Sequence, residues 1–247
     1  MDIITSPSNQ TVKRIAKLKT KKYRDEQKEF VIDGFRNVAD TAFASPSSVK
    51  LVVFSESGYK KYGNEFTEFS NIVLSDAVFG KIADTETAQG VLSVNKSPEF
   101  AFSYNNSCVL LDRVRNPGNV GTILRTCCAC GYDVVLNNCA DILSPKVVRS
   151  SMSAILKCNI GLDIDVQALK QNGYELIAAD MNGENVFTAT KPTGKYCIVI
   201  GNEGDGINAD ILAACDRTLS IPMQNIESLN ASVAAGVMMY ALRYQNN

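Results

Sequence analysis

Histidine is missing altogether from this chain of 247 residues. Imidazole is the usual general base near neutral pH, so its absence excludes Ser-His-Asp and Cys-His hydrolases and leaves any proton transfer to another group. A common metal ligand goes with it. The one close cysteine cluster, Cys127, Cys128 and Cys130, has no second pair at metal spacing, and no metal is expected. No apolar run is long enough to span a bilayer, although 45% of the residues are hydrophobic. The opening Met1-Asp2-Ile3-Ile4-Thr5 has no basic head before an apolar stretch, so no signal peptide and no membrane partner are expected, and the expected compartment is the cytoplasm. Neither a Walker A loop nor the G-x-G-x-x-G fingerprint occurs, which counts against a metabolic nucleotide-binding enzyme.

A strong excess of charge is lacking too. The formal net charge of −1 argues against indiscriminate nucleic-acid binding, but the average hides a patch. Lys13, Arg14, Lys17, Lys19, Lys21, Lys22 and Arg24 put seven positive charges within twelve residues, with Val12, Ile15 and Leu18 spaced as the inner face of a helix. Such a run is either a solvated helix face or a set of phosphate contacts. Tyr23 beside it and a ligand crevice downstream favour phosphate, with Lys13, Arg14, Lys17, Lys21 and Lys22 as the candidate contacts. The eight cysteines sit largely inside apolar runs, as in Tyr196-Cys197-Ile198, and read as reduced core residues rather than disulfides.

Ser6-Pro7-Ser8-Asn9 opens a first helix with capping residues, and Glu29 to Gly34 reads as a strand entering a turn. Further strands are expected at 51–54, 72–74 and 90–94, with a helix over 37–44. The polar stretches 95–99 and 103–107 then form a linker. These patterns give an α/β domain over residues 1–96 and a second over 107–247. The second opens on the apolar strand Cys108 to Asp112, followed by a helix from about Asn119 whose buried stripe is Val120, Ile123, Leu124, Cys127 and Cys128, with Arg125 off that stripe. Strands at 133–136, 175–179, 196–200 and 218–221 alternate with helical stretches, which means a largely parallel sheet. A last helix, from about Asn230 to Tyr244, has slim first turns made by Ala231, Ala234, Ala235 and Gly236.

Three loops of this second part follow apolar runs directly: Asn116-Pro117-Gly118-Asn119-Val120-Gly121 through Arg125, Gly201-Asn202-Glu203-Gly204-Asp205-Gly206, and Ile221-Pro222-Met223 through Ser228-Leu229-Asn230. A loop in that position lies at the carboxyl end of a strand, where open α/β sheets bind ligands, so the three suggest a single crevice. Taken one at a time, Arg125 reads as a surface helix residue, Asn119 and Asn230 as caps and Glu203 as a solvated acid. Only their combination points to a site.

In order and separation these motifs resemble those of the SpoU (TrmH-like) RNA 2′-O-ribose methyltransferases of the SPOUT superfamily, over about residues 108–245. Phe30 to Val38 and Glu86 to Leu92 are similar to the L30-like substrate-binding domain that many members carry. The resemblance implies an α/β fold with a mostly parallel sheet and a C-terminal trefoil knot, preceded by a small L30-like α/β domain. It implies S-adenosyl-L-methionine as cofactor, held around Gly201, Ile221, Met223 and Leu229, and a homodimer. The implied reaction is methyl transfer to a ribose 2′-hydroxyl of RNA, ribosomal RNA ahead of transfer RNA; a non-catalytic RNA-binding protein of the same fold is the alternative. By the same motifs, Asn119 orients the ribose or Arg125, Arg125 meets the acceptor hydroxyl or its phosphate, Glu203 anchors the active loop, and Ser228 and Asn230 close it. Ser144 to Ser153 resembles a further family segment in which Lys146, Arg149 and Ser151 meet RNA; Ser153 departs from the glycine common there, and Asn116 from the frequent aspartate.

Overall fold

A computed structural model describes residues 2–85 and 87–244; Met1, Glu86, which opens the Glu86 to Leu92 stretch, and 245–247 lie outside the described residues. The chain divides into two compact units, 1–99 with 143–156, and 100–142 with 157–247. The break after Glu99 falls inside the linker region, whereas 143–156 belongs by sequence position to the second part and packs with the first.

In the first unit, β1 (Ile3–Ile4), α1 (Gln10–Lys17), α2 (Lys21–Gln27), β2 (Glu29–Asp33), α3 (Phe35–Ala44), β3 (Val49–Ser55), α4 (Glu56–Tyr62), β4 (Asn71–Leu74), α5 (Asp76–Ile82) and β5 (Val91–Lys96) follow in order. The strands form a mixed sheet of order β1-β4-β3-β5-β2, antiparallel at β2–β5 and β3–β5. Asn9 starts α1 by accepting from the Thr11 and Val12 amides at 2.9 and 3.4 Å. The basic segment is two helices and not one, because the first ends at Lys17; Val12, Ile15 and Leu18 still share one buried face, packed with Val53, Leu74 and Val94.

The second unit contains β6 (Cys108–Asp112), α6 (Pro117–Cys130), β7 (Asp133–Asn137), then, after α7 (Pro145–Ser151) of the first unit, β8 (Ile160–Leu162), α8 (Val166–Gln171), β9 (Glu175–Asn185), β10 (Tyr196–Ile200), α9 (Ala209–Ala214), β11 (Arg217–Ser220) and α10 (Ala231–Tyr244). Its sheet has the order β11-β9-β10-β6-β7-β8, and every pairing is parallel. β6 and β10 are buried along their whole length, as expected for central strands read as unbroken apolar runs. β9 runs on to Asn185, past the expected end at Ala179, by pairing with β11 across a register shift between Thr218 and Leu219. All eight cysteines are free. Burial raises the Cys127 thiol well above its ordinary pKa and pushes Cys139 up to about 11 and Cys158 up to about 12, so these remain neutral thiols near pH 7. Among the described residues no helix is long and apolar enough to cross a membrane, and no group of three or more Cys, Asp or Glu is placed to hold a metal.

Candidate active site

Asn116 accepts from the Gly118 amide at 2.9 Å, and Pro117 occupies the first helical position, so α6 starts two residues earlier than the sequence suggests. That start turns Asn119 inward, where it is 7% exposed. Its side-chain Nδ2 donates to Glu203 Oε1 at 2.5 Å, and its Oδ1 accepts from Asn230 Nδ2 at 3.1 Å. Asn230 also caps α10, its Oδ1 accepting from the Ser232 amide at 2.9 Å. Residues from all three loops are thus joined in one hydrogen-bonded chain.

The 201–206 loop is a closed turn. The Asn202 and Gly206 backbones exchange two hydrogen bonds, each 3.0 Å, and Asn202 Oδ1 accepts from the Gly204 amide at 2.8 Å. Its glycines are required at both ends: Gly206 has φ +68, and a Cβ on Gly201 would stand 2.3 Å from the Gly206 carbonyl carbon. Beneath this turn lies a cavity of about 350 Å³ at the carboxyl ends of β10 and β11 and beside the middle of β9. Gly201, Ile221, Met223 and Leu229 all line it, as do Glu203 and Ser228. Ala231 and Ala234 line it from the slim start of α10, and Ile200, Leu219 and Met238 give it an apolar wall.

Sequence reasoning missed Asp180, Met181 and Glu227, which also line the cavity. Asp180 and Met181 lie within β9, where the strand runs on past its expected end at Ala179, and no glycine-rich loop marks them. Asp180, Glu203 and Glu227 give the lining three carboxylates and, among the described residues, no lysine or arginine.

Arg125 stands elsewhere. It is exposed on α6, outside the cavity lining, one residue before Thr126, next to which Gly236 of α10 lies. Of the basic candidates, Lys13, Lys17 and Lys22 are exposed, Lys17 reaching over the Tyr23 ring at 5.6 Å. Lys21 is exposed and pairs with Asp25 at 2.9 Å. Arg14 is instead paired with the buried Glu29, which Lys50 also meets at 2.8 Å, so its charge is already answered within the fold. Arg24 is 3% exposed and donates to the Leu18 carbonyl at 2.7 Å, which removes it from the basic face. Lys146 is exposed on α7, Arg149 pairs with Asp84, and Ser151 is wholly buried, its hydroxyl donating to Val148 O at 2.8 Å, so it cannot meet RNA.

The model of the SpoU rRNA Methylase family matches residues 106–240, and that of an MRM3-like substrate binding domain matches 9–93. The 23S rRNA (guanosine(2553)-2'-O)-methyltransferase RlmP of Bacillus subtilis (strain 168) is 31% identical over 251 residues, spanning 98% of this chain and 100% of that one. A solved structure described as an RNA 2'-O ribose methyltransferase superposes with a TM-score of 0.86 at 25% identity, covering 99% of each chain. The AdoMet-bound rRNA methyltransferase from Sinorhizobium meliloti gives 0.85 at 24% identity over 98% of this chain and 97% of that one, a likeness of fold. A match spanning more than half of the chain, and a relative similar from end to end, place the chain in the SpoU rRNA methylase family.

Proposed function

We propose that this protein transfers a methyl group from S-adenosyl-L-methionine to a ribose 2′-hydroxyl of ribosomal RNA. The observation that carries this reading is the convergence of the three loops: Glu203 lines the cavity while bonded to Asn119, which is bonded to Asn230. The residues suit the cofactor. A cavity of about 350 Å³ with an apolar wall of Ile200, Leu219 and Met238 is in the range that takes a nucleoside-sized ligand, and Gly201, Ala231 and Ala234 let a flat base approach main chain. The carboxylates of Asp180, Glu203 and Glu227 favour a ligand bearing positive charge. When bound, S-adenosylmethionine supplies a methyl group activated by its sulfonium.

The chain's own work is positioning. Asn119, Glu203 and Asn230 fix the loop edges against one another, so the cavity is shaped before ligands arrive. Ser228 lines the cavity beside Leu229. A guanidinium carries five donors and no acceptor, so Arg125 serves by charge at the acceptor oxygen or its phosphate and not as a base. Exposed Lys13, Lys17, Lys21, Lys22 and Lys146 supply phosphate contacts to the RNA. The family name and the printed activity of the Bacillus subtilis relative favour ribosomal over transfer RNA.

A trefoil knot accounts for the way the 200–206, 219–223 and 227–238 segments enclose one cavity, and the first unit's mixed sheet suits an L30-like domain. A homodimer is supported by α10, which leaves Val233, Tyr240 and Tyr244 between 50% and 62% exposed along one side. Eight reduced cysteines suit the cytoplasm. Incubating the protein with methyl-labelled S-adenosylmethionine and, separately, ribosomal and transfer RNA tests the reading. Label in ribosomal RNA alone is the expected result; label in transfer RNA alone would reassign the substrate, and cofactor binding absent from the protein would overturn the reading.

A further inference from the structure

Arg113 follows β6 directly, and its backbone is left-handed, with φ +57. Glycine, asparagine and aspartate enter that region most easily, and an arginine is held there against its preference only by surrounding contacts. The contacts are present. Arg113 Nε donates to Asp112 Oδ1 and Oδ2 at 3.3 and 3.2 Å, and Nη2 donates to the Gly206 carbonyl at 3.1 Å. The Arg113 carbonyl accepts from Asn202 Nδ2 at 2.9 Å. Asp112, 3% exposed, accepts in turn from the Asn208 amide at 2.7 Å. Both ends of the 201–206 loop and the residue that caps α9 are therefore tied to two consecutive residues at the end of a neighbouring strand. Asn202 and Gly206 are themselves part of the cavity wall.

We infer that Arg113 is a positioning residue: it anchors the base of the 201–206 loop and so sets the wall of the cofactor cavity without touching the ligand. The loop is fixed at its far side by Asn119 on Glu203 and at its base by Arg113 on Gly206. Without the guanidinium, the base is held by the Asn202–Gly206 backbone pair and the Asn202 side chain. The inference rests on the S-adenosylmethionine reading only for the ligand used as probe.

Glycine at this position separates a positioning role from a merely structural one. Arg113→Gly relieves the left-handed backbone but leaves the buried Asp112 carboxylate without its cation, so the melting temperature should fall by no more than a few degrees while the tether is lost. In the ligand-free full chain, amides of the 201–207 segment should then exchange with deuterium at least about threefold faster, since a charged hydrogen bond holding the segment is gone. The Kd for S-adenosylmethionine by calorimetry should rise about three- to tenfold, discounted for the partial exposure of Arg113. In methyl transfer the KM for cofactor should rise while kcat at saturation and the KM for RNA hold within about twofold, the pattern of lost uniform binding. Arg113→Lys, which can reach Gly206 or Asp112 but not bridge both, should fall between parent and glycine variant. Unchanged exchange in the loop would overturn the inference, as would faster exchange with an unchanged Kd, or a collapse in melting temperature. If the parent protein itself binds no S-adenosylmethionine, the functional reading fails, and the exchange measurement still decides whether Arg113 holds the loop.

Discussion

Asn119 holds Glu203 through its side-chain nitrogen at 2.5 Å and Asn230 through its side-chain oxygen at 3.1 Å, so one buried amide ties together residues 84 and 111 positions away in the chain. Both partners are exposed and can turn to water when it is removed, so what is lost is the mutual placement of the loops. Asn119→Ala should lower kcat/KM for methyl transfer roughly ten- to hundredfold. Asn119→Asp should be worse, because it sets a second carboxylate against Glu203. Combined with Glu203→Gln, Asn119→Ala should cost less than the sum of the two single changes; strict additivity would show that the pair does not act as a unit.

Arg125 is exposed and outside the cavity lining, so its truncation should leave the fold alone. Arg125→Ala should slow methyl transfer by about 10²-fold or more, the usual scale for a lost charge-stabilising donor, with melting temperature unchanged and the Kd for S-adenosylmethionine within about twofold. Arg125→Lys should restore little if the fork geometry of the guanidinium matters. Full activity in the alanine variant would remove Arg125 from the site.

The basic segment divides into residues the fold uses and residues it leaves exposed. Replacing Lys13, Lys17 and Lys22 together by alanine should weaken RNA binding and reduce the salt slope of log Kd by about 2, at roughly 0.7–0.9 per phosphate contact. Arg14→Ala should instead lower the melting temperature, because Arg14 is paired with the buried Glu29, and should change the salt slope least. Equal slopes for all these variants would return the segment to a solvated helix face.

Ala234 lines the cavity from the fourth position of α10, at the end of its first turn. Ala234→Leu should fill the space without disturbing the rest of the helix, weakening S-adenosylmethionine binding more than tenfold while the circular dichroism spectrum is retained. Parent-like affinity would show that the ligand sits elsewhere.

Asp33 responds to pH in the opposite sense from most carboxylates. Burial raises its pKa, and the Asp84 amide, donating at 3.1 Å, offsets this only in part. A carboxyl with a folded-state pKa above its unfolded value stabilises the fold most when protonated, and that stability is lost as pH rises through the folded pKa. Above that pKa the penalty is present, and at pH 7 Asp33→Asn should match or modestly exceed the parent in melting temperature. The difference should fade toward pH 3; a variant less stable than the parent at pH 7 would contradict the sign.

The convergence of the three loops was legible in the sequence because they are of unusual composition and directly follow apolar strands. Gly201, Ile221, Met223 and Leu229 line one cavity, and Asn119, Glu203 and Asn230 share one hydrogen-bond chain. What was not legible depends on partners far away in the chain. Nothing near Arg14 or Arg24 announces Glu29 or the Leu18 carbonyl, and a helical period fitted through Val12, Ile15 and Leu18 hides the helix break after Lys17. The placement of 143–156 with the first unit likewise rests on tertiary pairs, Arg149 with Asp84 and Ser153 Oγ on the Asn37 carbonyl at 3.4 Å. Arg113 escaped notice because arginine is an unusual residue for a left-handed position, so its type gave no sign of its backbone.

The methyl group transferred by this protein goes to a ribose oxygen. The most direct measurement treats total RNA from cells lacking this protein with the purified chain and labelled S-adenosylmethionine, digests the product to nucleosides, and identifies the labelled species by mass spectrometry. A single labelled 2′-O-methylnucleoside originating from ribosomal RNA is expected, lost when Arg125→Ala replaces the parent protein. Label on a base, or no label from a protein that binds the cofactor and the RNA, would contradict it.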